Sequence, residues 1–280
     1  MNQKKNQIVV PVNFSDSSEK GIEIAADIAT KWNSQITFLH IIDLPEYAGI
    51  DSEMVENYLD AIRLVVEEKI DEIKRRFIST DLKVTSEVIV GKSSLEILNY
   101  AKEKNSRLIV LGARKYEKME QLLEGSNAER ITRYAPCPVL TIKEAFDITQ
   151  VDDIVFATDL KSTSMYVTQE LKNLQQITGA NLHLVKVNTQ NDWLTDKQAA
   201  KEMKRFNEVH EFEKFKFANT NAETIEDGIL NYADTVDAGM IAMSTHGLDK
   251  VPVELNNRFI TERVMQSSPR LVWTCIPNGR

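Results

Sequence analysis

Glycine is scarce in this sequence, which has only 10 glycines among its 280 residues. That share is about half of the roughly 7% that globular proteins usually contain. Because glycine lets the main chain approach an anion closely, a loop that holds phosphate groups must draw on very few positions. The scarcity therefore limits where a glycine-rich nucleotide site can lie.

Cysteine is also scarce, since Cys137 and Cys275 are the only two. They form no C-x-x-C pair and stand near no pair of histidines, which argues against a disulfide framework and against a zinc site. Both lie in apolar, strand-like runs. We expect them to be buried thiols in a reducing cytoplasm, and we expect no metal site.

Long hydrophobic runs and an excess of positive charge are also missing. The apolar run at residues 8–12 is shorter than the core of a secretory signal, which has about 7–15 residues. No stretch approaches the roughly 18 apolar residues of a membrane span. The formal net charge of -8 gives an acidic surface, which repels nucleic acid and anionic lipid. We therefore predict a cytoplasmic protein with neither a nucleic-acid nor a membrane partner.

The sequence does contain a regular alternation of short apolar runs and amphipathic stretches. Hydrophobic residues are 42% and charged residues 27%, a mixture typical of folded domains rather than of disordered chains. The first half reads as NQIVVPVN, SDSSEKGIEIAADIATKW, QITFLHII, a long helix over about residues 51–79, LKVTSEVIV, SSLEILNYAKEK, RLIVLGA, SNAERITRYA and CPVLTIK. Strands and helices alternate along this list, which predicts a parallel sheet flanked by helices.

The second half repeats the same order at a nearly constant spacing. Residues 8–13 align with residues 154–159 at a shift of 146, whereas ILNYA starts at Ile97 and again at Ile229, a shift of 132. The drop from 146 to 132 means that 14 residues are missing between the second strand and the third helix, and a shorter second helix accounts for them. We predict two homologous domains, at residues 1–145 and 150–280, joined through EAFDITQV.

The loops after the first and fourth strands are the predicted binding region of each half. In open parallel sheets, ligands bind at the carboxyl ends of the strands, where the strand order reverses. The loops at these ends are VPVNFSDSS and LGARKYEKMEQLLEGSNAE in the first half, and ATDLKSTS and STHGLDKVPVELNNRF in the second.

These loops resemble those of the universal stress protein family in its tandem form. An Asp or Asn ends the first strand, and the later loop approximates the family's G-x2-G-x9-G-[ST] motif. The resemblance implies two doubly wound, parallel five-stranded sheets of the adenine-nucleotide α-hydrolase-like, Rossmann-like class, arranged as an intramolecular pseudo-dimer. It implies that CPVLTIK and PRLVWTCI pair across the pseudo-dimer. It also implies an adenine nucleotide, with the acidic residue and first loops at adenine and ribose, and the glycines and helix start at the phosphates.

The first half matches three of the four motif positions. Gly112, Gly125 and Ser126 are present, and Lys115 stands where the second glycine belongs. Lys115 either fills the space of the phosphates or reaches them as a point charge. Asn13 replaces the acid at the end of the first strand, which changes the donors and acceptors offered to adenine. If either half binds ATP or another adenine nucleotide, we expect this half to do so.

The second half departs from the motif elsewhere. Asp159 supplies the carboxylate and Gly247 the second glycine, but Ser244 replaces the first glycine and Asn257-Arg258 replaces Gly-Ser. We expect this site to persist mainly as loop architecture. The alternative for Asp159 and for the cluster at residues 13–16 is a local role in helix capping or Asx turns.

No sequence signature of catalysis is present. There is no G-x-S-x-G elbow, no GxxxxGK[ST] loop and no GxGxxG, so no residue can be named as nucleophile or base. We expect a stress-related regulatory or binding role with at most weak ATP hydrolysis. One alternative is an ATP-binding sensor that uses the first half. The other is a scaffold that holds an unknown protein partner or a small ligand in the second-half crevice beside His246. Further oligomerisation is compatible with either.

Overall fold

The computed structural model describes residues 6–43, 52–113, 126–144, 146–161, 163–245 and 260–277. Within each half, strands and α-helices alternate, and a short 3-10 helix (Ile148–Gln150) separates the last strand of the first half from the first strand of the second. The strands are β1 (Gln7–Pro11), β2 (Gln35–Ile42), β3 (Val84–Val90), β4 (Leu108–Gly112), β5 (Val139–Ile142), β6 (Asp153–Ala157), β7 (Asn181–Asn188), β8 (Phe215–Asn221), β9 (Met240–Ser244) and β10 (Leu271–Cys275). The helices are α1 (Asp16–Trp32), α2 (Ser52–Arg75), α3 (Ser93–Glu103), α4 (Asn127–Tyr134), α5 (Met165–Thr178), α6 (Asp196–His210), α7 (Ile225–Thr235) and α8 (Ile260–Ser267).

All ten of these strands belong to one continuous sheet in the order β3-β2-β1-β4-β5-β10-β9-β6-β7-β8. Pairing within each half is parallel, and the halves meet where β5 and β10 run antiparallel. Trp273 is the register partner of Leu140 at this junction. The predicted pairing of CPVLTIK with PRLVWTCI is therefore confirmed, and the two predicted five-stranded sheets are the halves of one larger sheet.

Both faces of the central strands are buried, in agreement with their apolar residues at successive positions, whereas the edge strands β3 and β8 are partly exposed. Ile8 and Val10 share one face while Val9 points to the other, and all three are fully buried. On the first face a single cluster of buried side chains extends through both halves, from Ile8 in β1 to Trp273 in β10. On the opposite face each half has its own cluster, covered by α3 and α4 or by α7 and α8.

The two halves also touch through α4 and α8 in a nearly symmetric way. Gln266 of α8 donates to Glu129 of α4 at 2.8 Å. In return, Arg133 of α4 donates to Glu262 of α8. These reciprocal contacts fit an intramolecular pseudo-dimer, in which equivalent helices face each other across a local two-fold axis.

Two further expectations are met by the described elements. Helix α2 has 24 residues and its counterpart α6 has 15, which confirms a shorter second helix in the second half. Cys137 and Cys275 are buried thiols, as expected.

None of the helices in the described ranges combines the length and the apolar character needed to cross a bilayer. The domain limits at 145 and 150 stay a prediction.

Candidate ligand-binding site

A cleft of about 400 Å³ opens at the carboxyl edge of the first half. It lies beside the ends of β1 and β4, where the strand order of this half reverses. Asn13, Gly112 and Ser126 all line it, so the structure brings together three of the sequence-predicted residues. Lys115 and Gly125 lie outside the described residues.

Gly112 has a packing role that no other residue can fill. A methyl group built at its Cα would overlap the main-chain carbonyl of Ser17 and would lie 2.6 Å from the nitrogen of Ser18. The first turn of α1 therefore packs directly against the end of β4. In the second half, where Ser244 replaces this glycine, α5 begins at Met165, eight positions after β6, whereas α1 begins five positions after β1. We attribute the tolerance of Ser244 to this later start of the helix.

Asn13 holds the turn that leads into α1. Its Oδ1 accepts hydrogen bonds from the nitrogen of Ser15 at 3.1 Å and from the Ser15 hydroxyl at 2.6 Å. In the second half, Asp159 Oδ1 accepts from the nitrogen of Lys161 at 2.9 Å. Both side chains thus make the hydrogen bond of a local Asx turn.

Ser126 caps helix α4 at the far wall of the cleft. Its hydroxyl accepts from the nitrogen of Glu129 at 3.2 Å. Asn127 and Ala128, the first two residues of the helix, also line the cleft. Main-chain N–H groups in a first helical turn lack partners within the helix, and they carry the positive end of its dipole. This wall therefore suits an anionic group.

Ser18, in the first turn of α1, was not predicted as a site residue, although it lines the same cleft. The side chain is only 2% exposed, and its hydroxyl has no hydrogen-bond partner among the described residues. Buried polar atoms without partners are rare in folded proteins, because each has lost its bonds to water. The serine-rich string FSDSS was the only sequence signal that could have directed attention to this residue.

His40 lies in β2 between Leu39 and Ile41, which line the cleft, and its side chain is on the opposite face of the strand. Its Nδ1 donates to the carbonyl oxygen of Val12 at 2.7 Å, and its ring centroid lies 5.0 Å from that of Phe14. Burial lowers the pKa of His40 below 6.5, the Val12 carbonyl opposes this change, and the charge of Lys69 adds to the lowering. The imidazole is therefore held neutral in the folded protein.

We expect this histidine to weaken the fold in acid. Because its pKa is lower in the folded state, the unfolded chain takes up the proton first, so stability falls as the pH drops below about 6.5. Replacing His40→Gln keeps a donor for Val12 and should make the loss shallower. Urea unfolding at about pH 7.5, 6.5 and 5.5 measures the effect, and equal slopes for both proteins would contradict it. Burial also lowers the pKa of His210. Replacing both histidines should therefore make the loss of stability in acid shallower than replacing His40 alone.

The corresponding region of the second half is built differently. Lys186 is buried in β7, and its Nζ donates to the Val187 carbonyl at 2.7 Å and to Asp192 at 2.8 Å. The hydroxyl of Ser164 donates to the carbonyl oxygen of Pro277 at 2.6 Å. Gly247 and His246 lie outside the described residues, so their roles stay predictions.

Fold and cleft together define a class, namely a tandem pair of doubly wound α/β halves with a ligand site at the switch point of the first half. A model of the universal stress protein family matches residues 5–143. The second half repeats the strand order of the first in the same sheet. Residues 5–143 therefore form a domain of the universal stress protein family, and the second half repeats the fold of that domain.

Similar proteins agree with this assignment. A universal stress protein from Methanocaldococcus jannaschii is 28% identical over 139 residues, which is 49% of this chain and 82% of that protein. Universal stress protein YxiE from Bacillus subtilis is 29% identical over 153 residues, or 49% of this chain and 99% of that protein. The crystal structure of a universal stress protein from Archaeoglobus fulgidus has a TM-score of 0.80 at 21% identity, covering 98% of this chain and 100% of that chain. That last likeness establishes the fold over both halves.

Proposed function

We propose that this chain is a stress-related regulatory protein that binds an adenine nucleotide in the cleft of its first half. The observation that carries the proposal is the gathering of Asn13, Gly112 and Ser126 around one cleft of about 400 Å³. Small-molecule sites typically have volumes of about 300–1,000 Å³ and few, well-placed polar groups. Such a cleft at a switch point supports ligand binding in the first half.

The residues of the cleft fit the two ends of a nucleotide. The first turn of α4, capped by Ser126, offers main-chain N–H groups to phosphate oxygens. Gly112 leaves the end of β4 without a side chain, which keeps the main chain approachable. Leu39, Ile41 and Leu111 give the cleft apolar surface for a base. Among the described residues we assign no nucleophile or base, and we propose binding rather than turnover.

Thermal unfolding in the presence of ATP, ADP and AMP tests this proposal. A ligand at about 100 times its dissociation constant should stabilise the protein by roughly 2.7 kcal/mol. No rise in melting temperature at millimolar concentrations of all three would contradict nucleotide binding.

The variant Ser126→Ala should reduce the rise that ATP causes. It removes the cap of α4 and should itself cost about 1 kcal/mol of stability. Thr224→Ala is the matched control, because Thr224 caps α7 in the other half and accepts from the Asp227 nitrogen at 3.0 Å. Titration calorimetry with ATP should find weaker binding for the first variant and unchanged binding for the second. Equal affinities in both variants would place the phosphates elsewhere.

A further inference from the structure

Ser18 and Ser164 align in the two repeats, although Ser18 lies in the first turn of α1 whereas Ser164 is the N-cap of α5. They are 146 residues apart, the same shift that aligns residues 8–13 with residues 154–159. The turns before them also agree, because Phe14 and Leu160 have positive φ angles of 60° and 64°. The chain therefore follows the same path up to these serines, and α5 begins three positions later than α1.

The two hydroxyl groups have different surroundings. Ser164 donates to the main-chain carbonyl of Pro277 at 2.6 Å, so the chain itself supplies an acceptor in the second half. Ser18 is buried, lines the first-half cleft and has no hydrogen-bond partner among the residues that the structure describes. The first half thus has a buried donor without a partner at its cleft, whereas the aligned serine of the second half caps α5 and donates within the chain.

We propose that the Ser18 hydroxyl donates a hydrogen bond to the ligand of the first half, and that a ligand acceptor takes the place that the Pro277 carbonyl takes in the second half. This inference rests on the proposed function, because it needs a ligand in the cleft. It gives a role to a hydroxyl at a position where an unsatisfied polar atom weakens the fold.

The acceptor that Ser18 binds is uncharged. The first turn of α1 contains the exposed Asp16, whose negative charge offsets the positive end of the helix dipole, and Glu19, which is paired with Arg76 at 2.6 Å. The charge of Asp16 would repel a phosphate near this helix start, whereas a sugar hydroxyl or a ring nitrogen would not be repelled. Ser18 therefore binds the nucleoside part, and phosphates extend towards the first turn of α4.

Titration calorimetry of Ser18→Ala with adenosine and with ATP tests the inference. We expect both affinities to fall by a similar factor of about 10, the usual effect of one lost hydrogen bond. The melting temperature of the ligand-free variant should be unchanged or higher, because an orphaned buried hydroxyl has been removed. Ser106→Ala is the matched control, since its hydroxyl is also buried without a partner but is not among the cleft residues. This control should leave both affinities unchanged.

Each outcome separates the inference from the proposed function. If the unmutated protein binds neither compound, the proposed function fails. If it binds them and Ser18→Ala binds them equally well, only the role of Ser18 is wrong. A loss confined to ATP would overturn the uncharged acceptor. Should Ser18→Ala fail to fold, Ser18→Cys has a side chain of the same shape and slightly larger size, supplies only a weak donor and should give the same loss.

Discussion

Replacing Gly112→Ala should destabilise the protein by about 3 kcal/mol, since overpacking at a rigid contact costs this much. The added methyl group would overlap the Ser17 carbonyl, and both sides of the contact are main chain. Neither side can move without shifting α1 away from β4. Because these elements also form a wall of the cleft, the variant should lose the rise in melting temperature that ATP causes. Urea unfolding, with and without ATP, measures both effects.

Gly21→Ala is the matched control for this variant. A methyl group at Gly21 would lie 3.6 Å from the nitrogen of Gly112, which is an ordinary contact. Gly21 lies within α1, where alanine is favoured over glycine by about 0.5–1 kcal/mol. The control should therefore be slightly more stable than the unmutated protein. If Gly112→Ala were as stable as the control, the close packing of α1 on β4 would be wrong.

Replacing Trp273→Ala should cost about 4 kcal/mol, within the range for large aromatic residues removed from a core. Trp273 is 1% exposed and belongs to the cluster of buried side chains that extends through both halves. It also lies in β10 opposite Leu140, at the junction of the halves. A cavity here weakens the packing of both halves at once, so the whole unfolding transition should move to lower urea concentration.

Trp193→Ala provides the comparison on the surface. Trp193 is 59% exposed, and substitutions at such positions usually change stability by less than about 0.5 kcal/mol. The two variants remove the same side chain, so their difference isolates the effect of burial. A loss at Trp273 no larger than that at Trp193 would rule out the shared core.

The fold could be predicted from the sequence because the strands are buried on both faces. A run such as MIAMS, which forms β9, has apolar residues at successive positions, and this pattern survives without any knowledge of its neighbours. The antiparallel junction came from the family resemblance. Helix ends were less accurate: α2 was expected to reach residue 79 but ends at Arg75.

The early end of α2 has a local cause. After Arg75 the main chain bonds three residues back, as in the contact from the Phe77 nitrogen to the Lys74 carbonyl at 3.0 Å. Phe77 still packs near Phe38, with ring centroids 6.0 Å apart. The apolar periodicity therefore continues past the residue at which the helix ends. For this reason the sequence alone could not show where α2 stops.

The candidate site could be predicted only in part. Asn13, Gly112 and Ser126 stand at positions that the family's sequence pattern identifies, and all three line one cleft. Ser18 carries none, since the lack of a partner for its hydroxyl depends on distant segments that pack around it. His210 shows the same limit: its helix is highly charged in sequence, yet the ring is buried and its Nδ1 lies 3.2 Å from the Thr168 hydroxyl.

The junction between β5 and β10 has a consequence for how the two halves can diverge. In a dimer of identical subunits, one codon change alters both sites together, and dilution separates the partners. Here the partners are tethered in one polypeptide, so the assembly persists at any concentration and each half accumulates substitutions on its own. The serine at 244 and the glycine at 112 are such a pair. Covalent linkage allows one half to specialise while the other preserves the shared scaffold.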